Sequence, residues 1–296
     1  MKGHTIKEWL LATRPWSFPA SAMPVIVTIV FVWSQGYPMS WGLGLMALVN
    51  IILVHAAGNV WSDYHDYKKG VDADDTYGVR ILTDKQFTPK EVLALSVTLQ
   101  VLAVLMGLLM VWLTGITLLW FGLIGIALSL LYPPLKYAAL GDLVIMACYS
   151  VLPMLGTTFI CSGEIVPAVL LLAIPVGSIT VAILHVNNTR DIETDKRAGI
   201  RTFPILAGRS ESIKIYIFEI IMPYCWLLIM VLLGCESPWT LLVIISLPLA
   251  IKNSKKMLSC KTEGIKAIAK LDEATAQLQL AFSLTLALGL TLEALT

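Results

Sequence analysis

The stretch Ile51-Ile-Leu-Val-His55-Ala-Ala-Gly-Asn59-Val-Trp-Ser-Asp63-Tyr-His-Asp66-Tyr-Lys-Lys-Gly70 runs from an apolar segment straight into carboxylates. Residues 41–62 are apolar enough to cross a bilayer, so Asp63 and Asp66 sit where such a span meets its end. An ionisable group there loses hydration, which marks it as functional by default. On a helix Asn59 and Asp63 are four apart and Asp63 and Asp66 three apart, so the three share one face.

The rest of the chain has the same character. Of its 296 residues 57% are hydrophobic and 14% charged, with a mean hydropathy of +0.79, whereas soluble domains carry about 25% charged residues. The chain reads as an all-α, polytopic integral membrane protein. Nine spans are expected near 16–34, 41–62, 91–112, 115–132, 141–161, 166–186, 213–233, 238–252 and 274–292, the eighth short and interrupted by Pro248. The fourth and fifth are separated by a turn at Tyr132-Pro-Pro-Leu-Lys136. The first follows Lys2, Lys7 and Arg14 but contains Pro19 and Pro24 and lacks a small-residue cleavage site, so it reads as retained.

Charge placement supports this count. All 21 Lys and Arg fall in the N-terminus or in segments 63–90, 132–140, 187–214 and 252–273, and none in 34–40, 113–114, 161–166 or 233–238. By the positive-inside tendency the N-terminus is cytoplasmic and the C-terminus is not. The long connections after spans two and six both carry acidic clusters. That parallel predicts a single domain over 1–296 with pseudo-repeats at about 16–132 and 141–252 and an extra helix at 274–292. A net charge of +1 gives no support for a nucleic-acid partner. The five scattered cysteines, with no CxxC pair, predict neither a disulfide framework nor structural zinc.

The second cluster reads Asn187-Asn188-Thr-Arg190-Asp191-Ile-Glu193-Thr-Asp195-Lys196-Arg197-Ala-Gly199. Asn187, Asp191 and Asp195 recur every four residues, again on a single face. Two rows of like charges repel unless something cationic compensates. Oxygen-only ligands with an amide nearby favour Mg2+, which takes one or two carboxylates and completes its shell with phosphate oxygens. Interleaved Lys and Arg would neutralise a polyphosphate. The alternative is an ordinary solvated helix end, and Asp74 and Asp75 are assigned to solvent. Repetition of the same-face row at corresponding positions favours a metal-diphosphate site.

At these residues the sequence resembles the UbiA superfamily of intramembrane prenyltransferases, whose signature is NDxxDxxxD in one cytoplasmic loop and DxxxD in another. Within it the chain is most similar to the 1,4-dihydroxy-2-naphthoate polyprenyltransferases of menaquinone biosynthesis, through Leu11-Ala-Thr-Arg14-Pro15, Asp63-Tyr-His-Asp66-Tyr-Lys-Lys-Gly70-Val-Asp72, Tyr132-Pro-Pro-Leu-Lys136, Gly141-Asp142-Leu143 and the Asn187–Gly199 run. Ser62 replaces the first Asn of the signature, five residues separate Asp66 from Asp72, and Tyr149-Ser150 stands where the branch commonly has Phe-Gly. Asn59 is the candidate for the missing amide.

The resemblance implies helices around a central cavity, in the cytoplasmic (inner) membrane with its site loops facing the cytoplasm. It further implies transfer of a polyprenyl group from its diphosphate to an aromatic acceptor, 1,4-dihydroxy-2-naphthoate, with decarboxylation. Asp63, Asp66, Asp191 and Asp195 would be catalytic and hold Mg2+. Asn59, Asp72, Arg80, Lys136, Asn187, Arg190 and Lys196 would contact substrate. Other acceptors compatible with the family are 4-hydroxybenzoate, a chlorin, homogentisate, haem and a glycerol phosphate. A secondary transporter is the rival of another class; a four-helix repeat cannot be inverted, which disfavours the common transporter designs. His55 and His185 read as packed, hydrogen-bonded histidines, and Glu219, inside span seven, is left out of the site.

Overall fold

The computed structural model describes residues 4–71, 77 and 81–296. Within them the chain is helical throughout, its sole extended pairing an isolated bridge between Ala138 and Arg201. A short α1 (Ile6–Ala12) starts at a capping box in which the Thr5 side chain accepts from the Glu8 backbone N–H and Glu8 reaches back. After it come α2 (Pro19–Ser34), α3 (Trp41–Lys69), α4 (Pro89–Thr114) and α5 (Thr117–Lys136). Next are α6 (Gly141–Met146) and α7 (Leu152–Ser162), fused by a π-helical turn at Ala147–Val151, then α8 (Leu170–Arg190) and the short α9 (Ile192–Arg197) and α10 (Phe203–Ala207). The chain finishes with α11 (Arg209–Leu232), α12 (Leu247–Glu263) and α13 (Leu271–Leu295).

All nine expected spans fall on helical segments, but among the described residues seven helices are long and apolar enough to cross a membrane: Trp41–Lys69, Pro89–Thr114, Thr117–Lys136, Gly141–Ser162, Pro167–Arg190, Arg209–Leu232 and Ile265–Leu295. The first expected span is the 16-residue α2, short of the usual length. The eighth is no continuous α-helix. It begins as a 3-10 stretch over Pro238–Ser246 and turns α-helical at Leu247, with Pro248 in the first turn, where a missing N–H costs nothing.

The expected break at Tyr132-Pro-Pro-Leu-Lys136 is also displaced, since α5 runs through both prolines to Lys136. Pro134 cannot donate to the Leu130 carbonyl, as a helix would require. The indole Nε1 of Trp61 supplies that bond instead, at 3.4 Å.

Helix α8 is the hub: 72% of its apolar window is buried, against 11% for α5 at the edge. Its flanks pack Leu172, Val176 and Ile179 with Ile213, Tyr216 and Ile220 of α11 and Leu278 and Phe282 of α13. Membrane helices gain little from burying Leu against Leu rather than lipid, so small residues and interhelical hydrogen bonds carry their cohesion. Tyr216 and Thr275 share a hydroxyl bond of 2.7 Å, Tyr224 and Ser246 another of 2.7 Å, and Ser150 donates to the Ala173 carbonyl at 2.7 Å. A Cβ at Gly289 would collide with the Trp239 carbonyl group, so that glycine sets how closely α13 approaches the 3-10 stretch. At one end of the bundle Ala12, Val60, Ile81, Leu82, Phe87 and Val92 pack as a separate cluster that seats α1 beside the end of α3.

Candidate active site

A cavity of about 980 Å3 lies between α2, α3, α4, α5, α8 and the α6–α7 segment. One end is apolar, walled by Met110, Leu118, Phe121 and Ile160; the other is polar, with Arg14, Asp66, Lys136, Asn187, Asp191 and Asp195. The acidic ends of α3 and α8 therefore meet at one mouth. The loops behind them are tied together, since the Arg201 N–H donates to the Tyr137 carbonyl at 3.0 Å.

On α3, Asp63 is buried and ion-paired with Arg14. Arg14 takes a left-handed backbone conformation (φ 56°) in the turn between α1 and α2. Asp66, one turn on and also buried, accepts from the Tyr137 hydroxyl at 2.6 Å, from Lys136 Nζ at 3.2 Å and from Ser62 Oγ at 3.2 Å. Ser62, at the position of the signature's amide, thus supports a carboxylate. Asn59 lines the cavity, but its Nδ2 donates to the Thr13 carbonyl at 3.0 Å and to Ser17 Oγ at 3.1 Å. Its amide nitrogen pins the N-terminal turn, leaving only the carbonyl oxygen for a ligand.

On α8 the expected row bends. Asp191 ends the helix and α9 starts beyond it, yet Asp191 N donates to Asn187 O and Asp195 N to Asp191 O, both at 2.9 Å, so the spacing survives the bend. Arg190 chelates Asp191 with Nε and Nη2, each at 2.9 Å, and reaches the Ala269 carbonyl at 3.2 Å. Asp195 is buried and makes no ion pair among the described residues; Thr202 Oγ1 donates to it at 3.4 Å. Burial accordingly pushes its carboxyl up to about 7, with Lys136 pulling the other way. Asp191 is also raised by burial, against the opposing effect of Arg190.

The structure does not bring every expected residue to the cavity. Asp63, paired with Arg14, does not line the cavity, and neither does Lys196, which is 52% exposed and 4.0 Å from Glu193. Asp72 and Arg80 lie outside the described residues, as do Asp74 and Asp75. Residues not foreseen as site members also appear. Arg14 is one, reaching Asp63 across 49 positions. Its sequence signals were its place in the Leu11–Pro15 stretch that carries the family resemblance and the demand of a buried carboxylate for a cation. Tyr137 is another. A third group is His55 stacked on Tyr149, with ring centroids 4.6 Å apart, both lining the cavity, and with His55 Nδ1 2.8 Å from Ser21 Oγ.

The donor set facing the polar end is all oxygen, which suits a hard cation such as Mg2+. Asn187 Oδ1 adds a buried oxygen with no hydrogen-bond partner at that wall. The donor chemistry therefore suits a divalent metal, while among the described residues no three of these carboxylates converge within 4.8 Å of one another.

Residues 21–271 match the UbiA prenyltransferase family. The chain is similar to the UbiA prenyltransferase domain-containing protein 1 of Xenopus tropicalis, 32% identical over 96% of this chain and 81% of that one. It is likewise similar to the Homo sapiens protein of that name, 33% identical over 96% of this chain and 83% of that one. Among solved structures it resembles an apo UbiA homolog from Aeropyrum pernix K1, with TM-score 0.65, 15% identity and coverage of 88% of this chain and 95% of that one. It also resembles a UbiA homolog from Archaeoglobus fulgidus bound to GPP and Mg2+, with TM-score 0.60, 13% identity and coverage of 94% and 99%. The structural likenesses show a shared fold.

Proposed function

The chain belongs to the UbiA prenyltransferase family, and on that premise we propose that it transfers a polyprenyl group from a prenyl diphosphate to 1,4-dihydroxy-2-naphthoate, with loss of the acceptor's carboxyl group, in menaquinone biosynthesis. The observation that carries this reading is the cavity's polarity. Carboxylates of both acidic clusters crowd one end with Arg14, Lys136 and Arg190, and aliphatic and aromatic side chains line the other, which suits a molecule with a diphosphate head and a hydrocarbon tail. The Archaeoglobus fulgidus homolog with GPP and Mg2+ bound supports the donor class. The acceptor rests on the similarity of the Asp66–Asp72 spacing and the Asn187–Gly199 run to the naphthoate branch.

Asp63, Asp66, Asp191 and Asp195 would hold Mg2+, which when bound supplies the positive charge that turns diphosphate into a leaving group. The remaining work falls to the chain itself. Arg14, Lys136 and Arg190 line the polar end while engaged with carboxylates. With those carboxylates neutralised, the N–H groups of Arg14, Lys136 and Arg190 would be available to take phosphate oxygens. Met110, Leu118 and Phe121 offer an apolar wall to the donor's hydrocarbon tail. His55 and Tyr149 offer aromatic faces against which an acceptor ring can stack.

Alkylation at the carboxyl-bearing ring carbon leaves no proton to remove there, so CO2 departs and restores aromaticity without a general base. Carboxyl-labelled naphthoate, a polyprenyl diphosphate and Mg2+ given to the purified protein test the reading. Labelled CO2 equal to prenylated product is expected. Product that keeps the label, or turnover of 4-hydroxybenzoate alone, overturns the acceptor, and absence of diphosphate release from any pairing overturns the activity.

A further inference from the structure

Away from the cavity, three ionisable side chains from three helices converge in the protein interior. His185 of α8 is fully buried, and its Nδ1 lies 3.4 Å from Asp142 Oδ2 at the start of α6 and 3.4 Å from Glu219 Oε1 in α11. None of the three belongs to the cavity walls. On its other edge His185 Nε2 sits 3.1 Å from the Ser212 carbonyl oxygen and 2.7 Å from Ser212 Oγ. A carbonyl only accepts, so Nε2 carries a proton, and in the neutral ring Nδ1 presents its lone pair to two carboxylates. That arrangement is repulsive without a cation between them. No Lys or Arg forms an ion pair with either carboxylate among the described residues.

The cation is either a proton or a metal ion, and the geometry separates the two. A proton on Nδ1 would draw one carboxylate to about 2.8 Å. Instead Nδ1 is equidistant from both and makes no hydrogen bond, and Asp142 Oδ1 and Glu219 Oε2 are also buried without partners. With metal–ligand bonds of about 2.0–2.1 Å, the edge of a ligand tetrahedron is about 3.3–3.4 Å. All three ligand atoms lie within 4.8 Å of one another. The backbone-anchored Nε2 is the outer contact that metal-ligating histidines use to fix their tautomer.

We propose that Asp142, His185 and Glu219 form a separate structural metal site for a zinc-class divalent cation, with water as fourth ligand. One nitrogen and two carboxylate oxygens suit zinc, in contrast to the all-oxygen cavity. The bound ion neutralises both carboxylates and clamps α6 and α11 to α8, two turns before Asp191.

The full-length protein in detergent is stripped with a chelator and then dialysed against Co2+ or Zn2+ in excess Mg2+. One Co2+ per chain with the strong visible absorption of tetrahedral coordination is expected, displaced by Zn2+ and retained in Asp191→Asn/Asp195→Asn. Loss of that ion and of the Zn2+-dependent rise in unfolding temperature is expected in Glu219→Gln. Weak octahedral-type absorption, no retained metal, or wild-type zinc content in Glu219→Gln overturns the proposal. If Glu219→Gln does not fold, the wild-type Co2+ spectrum and Zn2+-dependent unfolding decide it alone.

Discussion

Asp195 is the one carboxylate of the two rows without an ion pair among the described residues, and its carboxyl is raised to about 7 by burial. A metal ion entering there must displace a proton, so binding releases one near neutrality and weakens as the pH falls below 7, by up to about tenfold per pH unit. Titration calorimetry of Mg2+ in buffers of different ionisation enthalpy checks this, and an enthalpy independent of the buffer rules it out. Asp191→Ala and Asp195→Ala are each expected to lower turnover by about 10²–10³, and Asp195→Ala, which breaks no ion pair among the described residues, should leave thermal unfolding in detergent close to wild type. Lys196→Ala, on an exposed side chain, should stay within about twofold, as surface changes do. The two acidic rows were legible in the sequence because helical spacing alone puts their members on one face. Lys136 and Arg190 were legible as site cations, but the ion pairs that hold the rows were not. Arg14 meets Asp63 through a left-handed turn, and Arg190 folds back onto its own neighbour, and neither arrangement leaves a periodic trace.

At the scale of elements, hydropathy located each helical segment without revealing its geometry. Residues 238–252 carry an apolar signal that suits 3-10 and α-helix equally, so the switch at Leu247 was invisible. The passage of α5 through Pro133 and Pro134 depends on an indole donated from another helix, which no local rule contains. Close packing around glycine gives a direct test. Gly289→Ala places a methyl group against the Trp239 backbone and should destabilise the protein by about 1–3 kcal/mol, the usual cost of overpacking. Gly42→Ala, with nothing within 4 Å on helix α3, should be neutral or stabilise by about 0.5–1 kcal/mol through helix propensity. Unfolding in mixed micelles compares the two, and equal midpoints would contradict the close approach of α13.

For the whole molecule, the Lys and Arg distribution makes the orientation testable. A cysteine introduced at Lys85 in a background without the native thiols should be labelled from the cytoplasmic side, and one at Thr296 from the opposite side. Labelling of both from one face would require an even number of crossings. The sequence conveyed the burial of the site but not its lopsided walls. Helix α8 is enclosed by its neighbours, whereas Leu108 of α4 and Leu123 and Leu130 of α5 line the cavity and are still 50%, 48% and 40% exposed. A hydrocarbon tail lying against such a wall keeps its far end dissolved in the bilayer. Capture of the donor then costs none of the energy of pulling a long lipid into a sealed pocket. On the proposed activity, donor and product would exchange with the bilayer by sideways diffusion through that wall.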